Sequence, residues 1–254
     1  MSERVSSPSS RVAPKFGVVV VEELVRKVVS SDFLPGDVLP PEAELCEEFG
    51  VSRSVIRESI KRIQEKGLLV VAQGRRTTIA EPRQWNMLDP IVLGSLIDHD
   101  MTLGVLDEIT VVRSSLEASM SGEVAADHTK AEIRRLQSVL DRMQNHVNQR
   151  EEFDRDDAEF HYLIMDFSGN RLATNVARTL YDQALKSPRY RGNVPRTALS
   201  DGYQEMMDIF DAIRASDRHN AEEAMRYHIM EGWRRRKLPS EAGRSRRRMK
   251  GGAT

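Results

Sequence analysis

The chain has 254 residues with 38 Lys and Arg against 39 Asp and Glu, so its formal net charge of -1 leaves any attraction to a polyanion to a local patch. Its length allows two domains, and a single cysteine, Cys46, excludes an intrachain disulfide framework. No apolar run approaches the roughly 20 residues of a membrane span, and Met1 to Pro14 lacks the apolar centre of an export signal, so a cytoplasmic protein with no membrane partner is expected.

Residues 1–14 are rich in Ser with Pro8 and Pro14 and read as a flexible arm. Residues 15–80 read as one domain. Val21, Leu24, Val25 and Val28 recur at helical spacing and predict a helix from Val18 to Val29, ended by the turn Pro35-Gly36-Asp37. Pro41 then suits a first helical turn, Glu42 and Glu44 suit its positive end, and Leu45 and Phe49 face a core. Cys46 beside Leu45 reads as a small packed residue. Gly50 closes this second helix, and Ser52 is the expected cap of a third, from Arg53 to Lys66.

On the third helix Val55, Ile56, Ile60 and Ile63 mark the buried side and leave Arg53, Arg57, Lys61 and Arg62 outside. Gly67 stops it. Leu68 to Ala72 and Thr77 to Ala80 read as two strands around Gln73-Gly74-Arg75-Arg76, a hairpin tip carrying two cations. Helix, turn, helix, Gly-Val-Ser-Arg, helix and basic hairpin make the order of a winged helix-turn-helix, a fold that presents guanidinium groups to phosphates and guanine edges.

Residues 81–86, with Pro82 and Trp85, read as a linker. Beyond it residues 87–237 have helical period throughout, with helices expected near 88–98, 102–127, 130–149, 151–167, 171–186, 197–216 and 218–236, an all-α antiparallel bundle. Residues 238–254 continue the cations of Arg234 to Lys237 as a basic tail. These cations suit either solubility or salt-sensitive attraction to DNA.

Three features of the bundle can carry chemistry. Asp157 and His161 lie four residues apart, hence on one helix face, and His228 on the last helix can reach the same interior. One carboxylate with two imidazoles can hold a divalent metal with open positions, although an Asp and a His one turn apart also make a plain ion pair. Arg113 either faces a cavity, where its fork suits a carboxylate ligand, or faces outward as an i,i+4 partner of Glu117.

Leu34-Pro-Gly-Asp37, Leu39 to Leu45, Gly50 to Glu58, Arg113 to Glu117, Asp157 to His161, Gly169-Asn170, Asp211 to Arg214 and His228 together make the chain resemble GntR-type transcription regulators whose C-terminal domain is the all-helical FCD fold. Pro41 to Phe49 and Gln84 to Asp89 are similar to the galactonate-responsive group within that family. The resemblance covers nearly everything except the two tails. It implies a homodimer that reads a palindrome in double-stranded operator DNA. The implied DNA contacts are Ser52, Arg53, Ser54, Arg57 and, at the wing, Gly74, Arg75 and Arg76.

The resemblance also implies a metabolite-responsive repressor released by a small carboxylate or sugar acid, with Arg113 as effector anchor. It implies a divalent metal (Zn, Mn or Ni) held by one Asp and three His, of which Asp157, His161 and His228 match three. Met206 stands where the fourth ligand is usual, and a thioether is a poor partner for such ions. A three-ligand site, a different metal and no metal all stay open. Ala43 replaces an Arg that contacts DNA in many members, so operator preference is not transferable. The alternatives are an effector-independent architectural DNA binder and, less favoured, a metal-dependent enzyme.

Overall fold

The computed structural model describes residues 13–71, 76–192 and 197–237, which form eleven α-helices, one two-stranded sheet and a short 3-10 turn. Of the expected elements, most of the N-terminal arm, the hairpin residues Gln73, Gly74 and Arg75, and the basic tail 238–254 lie outside the described residues. The chain divides into two compact units between Met101 and Thr102.

In the first unit α1 (Ala13–Val29) starts earlier than its apolar period, with Pro14 in the first turn, where a missing N–H costs nothing. α2 (Glu42–Phe49) ends on Gly50, and α3 (Arg53–Glu65) follows directly. Val21, Leu24, Val25 and Val28 of α1 meet Leu45, Ile56 and Ile63 in one core. Ser52 occupies the cap position of α3, but its hydroxyl bonds the Ser54 hydroxyl at 2.9 Å and makes no cap hydrogen bond, unlike the expectation.

The wing strands are shorter than expected, β1 (Leu69–Val70) and β2 (Thr78–Ile79), paired antiparallel with Leu69 opposite Ile79. The segment after the Pro35-Gly36-Asp37 turn adds an edge to them. Val38 bridges Thr78, Leu39 N–H donates to the Thr77 carbonyl, and Ile79 N–H donates to the Asp37 carbonyl. The chain therefore enters α2 from a point anchored to the wing.

The expected linker is built into this unit. Glu81 leads into the turn Pro82–Gln84, Trp85 packs on the core and donates Nε1 to the Ala80 carbonyl, and Asn86 N–H donates to the Lys66 carbonyl. α4 (Pro90–His99) is capped by the Asp89 carboxylate and lays Ile91, Val92 and Leu96 on the same core, against α1. This helix was expected to open the bundle. Its amphipathic stripe is legible in sequence, but the stripe does not say which of two cores it covers.

The second unit comprises α5 (Gly104–Ala126), α6 (Lys130–His146), α7 (Arg150–Phe167), α8 (Arg171–Lys186), α9 (Pro188–Arg191), α10 (Thr197–Arg214) and α11 (Arg218–Lys237). α5 is its central helix, packed against α7, α8, α10 and α11. It buries Ala118, Ser121, Gly122 and Ala125, small residues that let α11 approach closely. α9 was not expected. Ser187-Pro188 read only as a break, yet Ser187 caps the short helix through the Arg189 N–H, and Pro188 occupies its first turn.

Gly67 joins α3 to the wing at φ +78°, and a Cβ there would sit 2.1 Å from the Gln84 carbonyl oxygen. Gly50 also has positive φ, +62°, but faces open space. A left-handed φ on a non-glycine residue costs about 1–3 kcal/mol. Gly50→Ala is expected to lose only that, whereas Gly67→Ala loses clearly more in urea unfolding. Equal losses would mean that the Gln84 turn moves aside.

Candidate functional site

The exposed half of α3 carries the expected DNA contacts of the first unit. Ser52, Arg53, Ser54 and Arg57 are all exposed, as is Arg76 beyond the hairpin tip. Their field is not purely positive. Arg57 Nε lies 2.9 Å from a Glu42 oxygen, Arg62 pairs with Glu58, and Lys61 with Glu65. Such exposed pairs contribute roughly 0–1 kcal/mol, so a phosphate can replace a carboxylate at little cost.

In the second unit every helix but α6 contributes polar groups to the site, α5 and α7 as pairs at one-turn spacing. α5 supplies Arg113 and Glu117, and α7 supplies Asp157 and His161. α10 supplies Glu205, α11 supplies His228, Arg235 and Arg236, and α8 and α9 add Tyr181 and Tyr190. Asp157, His161 and His228 each offer a ligand atom, and these three atoms lie within 4.8 Å of one another. The three sequence-predicted ligands thus come together and are buried.

Both imidazoles are held from behind. His161 Nδ1 lies 2.5 Å from Glu117 Oε2, and Arg113 Nε donates to Glu117 Oε1 at 2.7 Å. His228 Nδ1 lies 3.0 Å from Glu205 Oε2, and Arg235 donates to both Glu205 oxygens at 2.7 Å. Burial works against ionisation of Glu117, but Arg113 and His161 outweigh it and hold its carboxyl below the usual carboxylate range. Burial opposes ionisation of Glu205 as well, and His228 and Arg235 again prevail. With both carboxylates ionised, the proton of each contact belongs to Nδ1.

The two Nε2 atoms face each other, 3.3 Å apart, with Asp157 Oδ1 3.7 Å from that of His228, and in neutral rings both are acceptors. Asp157 is itself kept ionised. Burial disfavours its charge, but His161, His228 and Arg236, together with a 2.8 Å hydrogen bond from the Tyr181 hydroxyl, overcome this. Two facing lone pairs beside a carboxylate repel unless a cation, or a proton on one ring, lies between them. The donor set and its outer carboxylates match what divalent metals accept from nitrogen and oxygen ligands.

Arg113 satisfies both alternatives weighed for it. It is the i,i+4 partner of Glu117, and it lines the cavity, 2% exposed, stacked 3.5 Å from the Tyr181 ring centre and donating Nη1 to the Tyr190 hydroxyl. Met206 is fully buried beside Glu205 and is not among the residues that line the cavity. Glu117 as support of His161, Glu205, Tyr181, Tyr190, Arg235 and Arg236 were not foreseen as site residues. Only the cap-and-proline signal at Ser187-Pro188 offered a hint, toward Tyr190.

Four cations expected to lead into the basic tail belong to α11, and three are ion-paired. Arg234 meets Glu231, Arg235 meets Glu205, and Lys237 meets Asp107. Arg236 turns into the cavity. This run therefore belongs to the last helix of the bundle, with Arg235 and Arg236 turned inward and Arg234 and Lys237 exposed.

Glu117→Gln leaves the Arg113 charge buried without its counter-ion. Breaking a buried pair from one side costs about 3–5 kcal/mol, and a loss of that order is expected in urea unfolding, against less than about 1 kcal/mol if the charge is dispensable. Both Glu117 and Glu205 have lowered folded-state pKa values. Their contribution is complete above the ordinary carboxylate range and is lost as pH falls through the lowered values, which a pH series of the same unfolding curves will show.

Residues 17–79 match the family described as bacterial regulatory proteins, gntR family, and residues 108–231 match the FCD domain. The chain is 30% identical to the galactonate operon transcriptional repressor of Escherichia coli (strain K12), over 86% of this chain and 95% of that one. It is 27% identical to the HTH-type transcriptional repressor NanR of Cronobacter sakazakii, over 85% and 83% respectively. A solved structure of Lar, described as controlling expression of the Listeria monocytogenes agr system, superposes with a TM-score of 0.56 at 13% identity, covering 91% of this chain and 98% of that one, a likeness of fold. The chain belongs to the gntR family of bacterial transcription regulators, with an N-terminal winged helix-turn-helix and a C-terminal FCD domain.

Proposed function

We propose that this regulator is a homodimeric repressor released by a sugar acid that enters the cavity of the helical unit. The galactonate operon repressor and NanR are named as repressors and not as enzymes, which sets the enzyme alternative aside. The observation that carries the reading is the pair of facing Nε2 atoms, each imidazole locked by a carboxylate, beside Asp157. Asp157, His161 and His228 would hold a divalent ion such as Zn, Mn or Ni, without help from Met206. Such an ion, when bound, supplies a Lewis acid for carboxylate or hydroxyl oxygens.

Arg113 offers its remaining N–H groups to the carboxylate, Nε and Nη1 being engaged by Glu117 and Tyr190. The cavity volume is about 40 Å³, room for a few water molecules and less than an acid of several carbons needs. Effector entry therefore rearranges the lining side chains. That requirement gives the effector different affinities for different arrangements of the protein, without which it could not change DNA affinity.

On DNA, Arg53 and Arg57 of α3 contact the major groove, supported by Ser52 and Ser54, and Arg76 the flanking groove; Gly74 and Arg75, the other wing contacts of this reading, lie outside the described residues. Two-fold symmetry of the dimer is matched by a palindrome.

The test is operator binding by fluorescence anisotropy on the upstream region of the chain's own gene, with elemental analysis of gently purified protein. Galactonate and related acids are expected to release the DNA, with near-stoichiometric metal in the protein. Arg57→Ala is expected to weaken operator binding roughly tenfold while retaining the metal. His161→Ala loses the metal and the response but still binds DNA. An operator complex indifferent to every sugar acid would refute the mechanism.

A further inference from the structure

Resting on the effector reading above, we propose that Arg236 binds a second anionic group, so that the preferred effector is a polyhydroxy acid with two anionic ends, carboxylate at one and carboxylate or phosphate at the other. Among the described residues Arg236 lines the cavity without any hydrogen bond or ion pair to its guanidinium. Its Nε is buried and unpartnered, its guanidinium lies over the face of Tyr190, 5.0 Å from the ring centre, and Asp157 and Asp154 act on it through space without a hydrogen bond.

The other three arginines of the cavity are committed. Arg113 is paired with Glu117, Arg150 with Asp154 and Arg235 with Glu205, each at 2.6–2.7 Å. Asp157, the remaining carboxylate of the lining, accepts from Tyr181 and faces the two imidazoles. Three pairs cancel, Asp157 balances Arg236, and a divalent ion at the histidines would leave two positive charges for the effector to neutralise. A guanidinium whose buried Nε lacks an acceptor gains from an anion that meets it, and a planar fork suits carboxylate and phosphate alike.

The placement fits a ligand with separated ends. Arg236 lies two turns beyond His228 on α11, and its side chain folds back toward the helix N-terminus over Gly232, where a Cβ would stand 3.0 Å from Nη1. Its guanidinium thus lies beside Gly232, about one helical turn, roughly 5.4 Å, from the level of His228. Arg236 also falls outside the segment that matches the FCD domain, which ends at residue 231.

The test is titration calorimetry of full-length, metal-containing protein with matched acids: threonate against tartrate, and gluconate against glucarate and 6-phosphogluconate. The dianions are expected to bind roughly tenfold tighter than their monoanionic counterparts, the effect of one charge-assisted contact. Glucarate and 6-phosphogluconate separate a carboxylate end from a phosphate end. In Arg236→Gln the dianion preference is expected to fall to about one, and Arg236→Lys is expected to restore part of it. Equal affinity for dianions and monoanions in the unaltered protein would overturn the proposal without any variant, as would a preference that survives Arg236→Gln. Monoanions that bind and release operator in that case leave the effector reading standing. If no acid of either kind binds, both fall.

Discussion

Two Arg–Glu–His chains that meet head to head govern the helical unit. Arg113 holds Glu117, which holds His161; Arg235 holds Glu205, which holds His228; and the two free ring nitrogens face each other at 3.3 Å. Each link settles the next. The guanidinium keeps the carboxylate ionised, the ionised carboxylate keeps a proton on Nδ1, and that turns Nε2 toward its counterpart. Buried ion pairs of this kind contribute little net stability, because desolvation consumes most of the Coulomb attraction. What they secure is orientation, at the position where a metal and an effector would act.

The helix packing exists to make that meeting possible. α5 is buried on several sides and uses small residues where α11 approaches it, which leaves room for Arg113 and Glu117 to point inward without being crowded out. Tyr181 and Tyr190 then cover the Arg113 guanidinium from a stacked face and from a hydroxyl, and Trp233 stacks on Tyr190 at 5.6 Å between ring centres. The aromatic wall supplies both the cation–π partner and the low-dielectric surroundings in which the remaining charges matter.

Charge is handled in opposite ways by the two units. On α3 the cations are exposed and lightly paired with Glu42, Glu58 and Glu65, a state that polyanionic DNA can exchange with. On α11 a run of four cations divides, Arg234 and Lys237 staying exposed while Arg235 and Arg236 turn inward, and only Arg236 of the four lacks a carboxylate ion pair among the described residues. The same residue types are thus solvent-facing on α3 and, at Arg235 and Arg236, set against the cavity on α11.

Local chemistry made much of this protein legible in its sequence. Caps, glycine stops and the 3.6-residue period located nearly all the helices, and the i,i+4 spacing put Asp157 with His161 and Arg113 with Glu117, because neighbours along one helix have fixed geometry. Partners between helices have no such rule. Only the packed bundle brought Glu205 of α10 to His228, turned Arg236 inward past Gly232, and showed that Arg113 could be paired and cavity-facing at once. α4 went to the first unit for the same reason. An amphipathic stripe states that a face must be buried, and the choice between two apolar cores belongs to tertiary contacts between residues far apart in the chain.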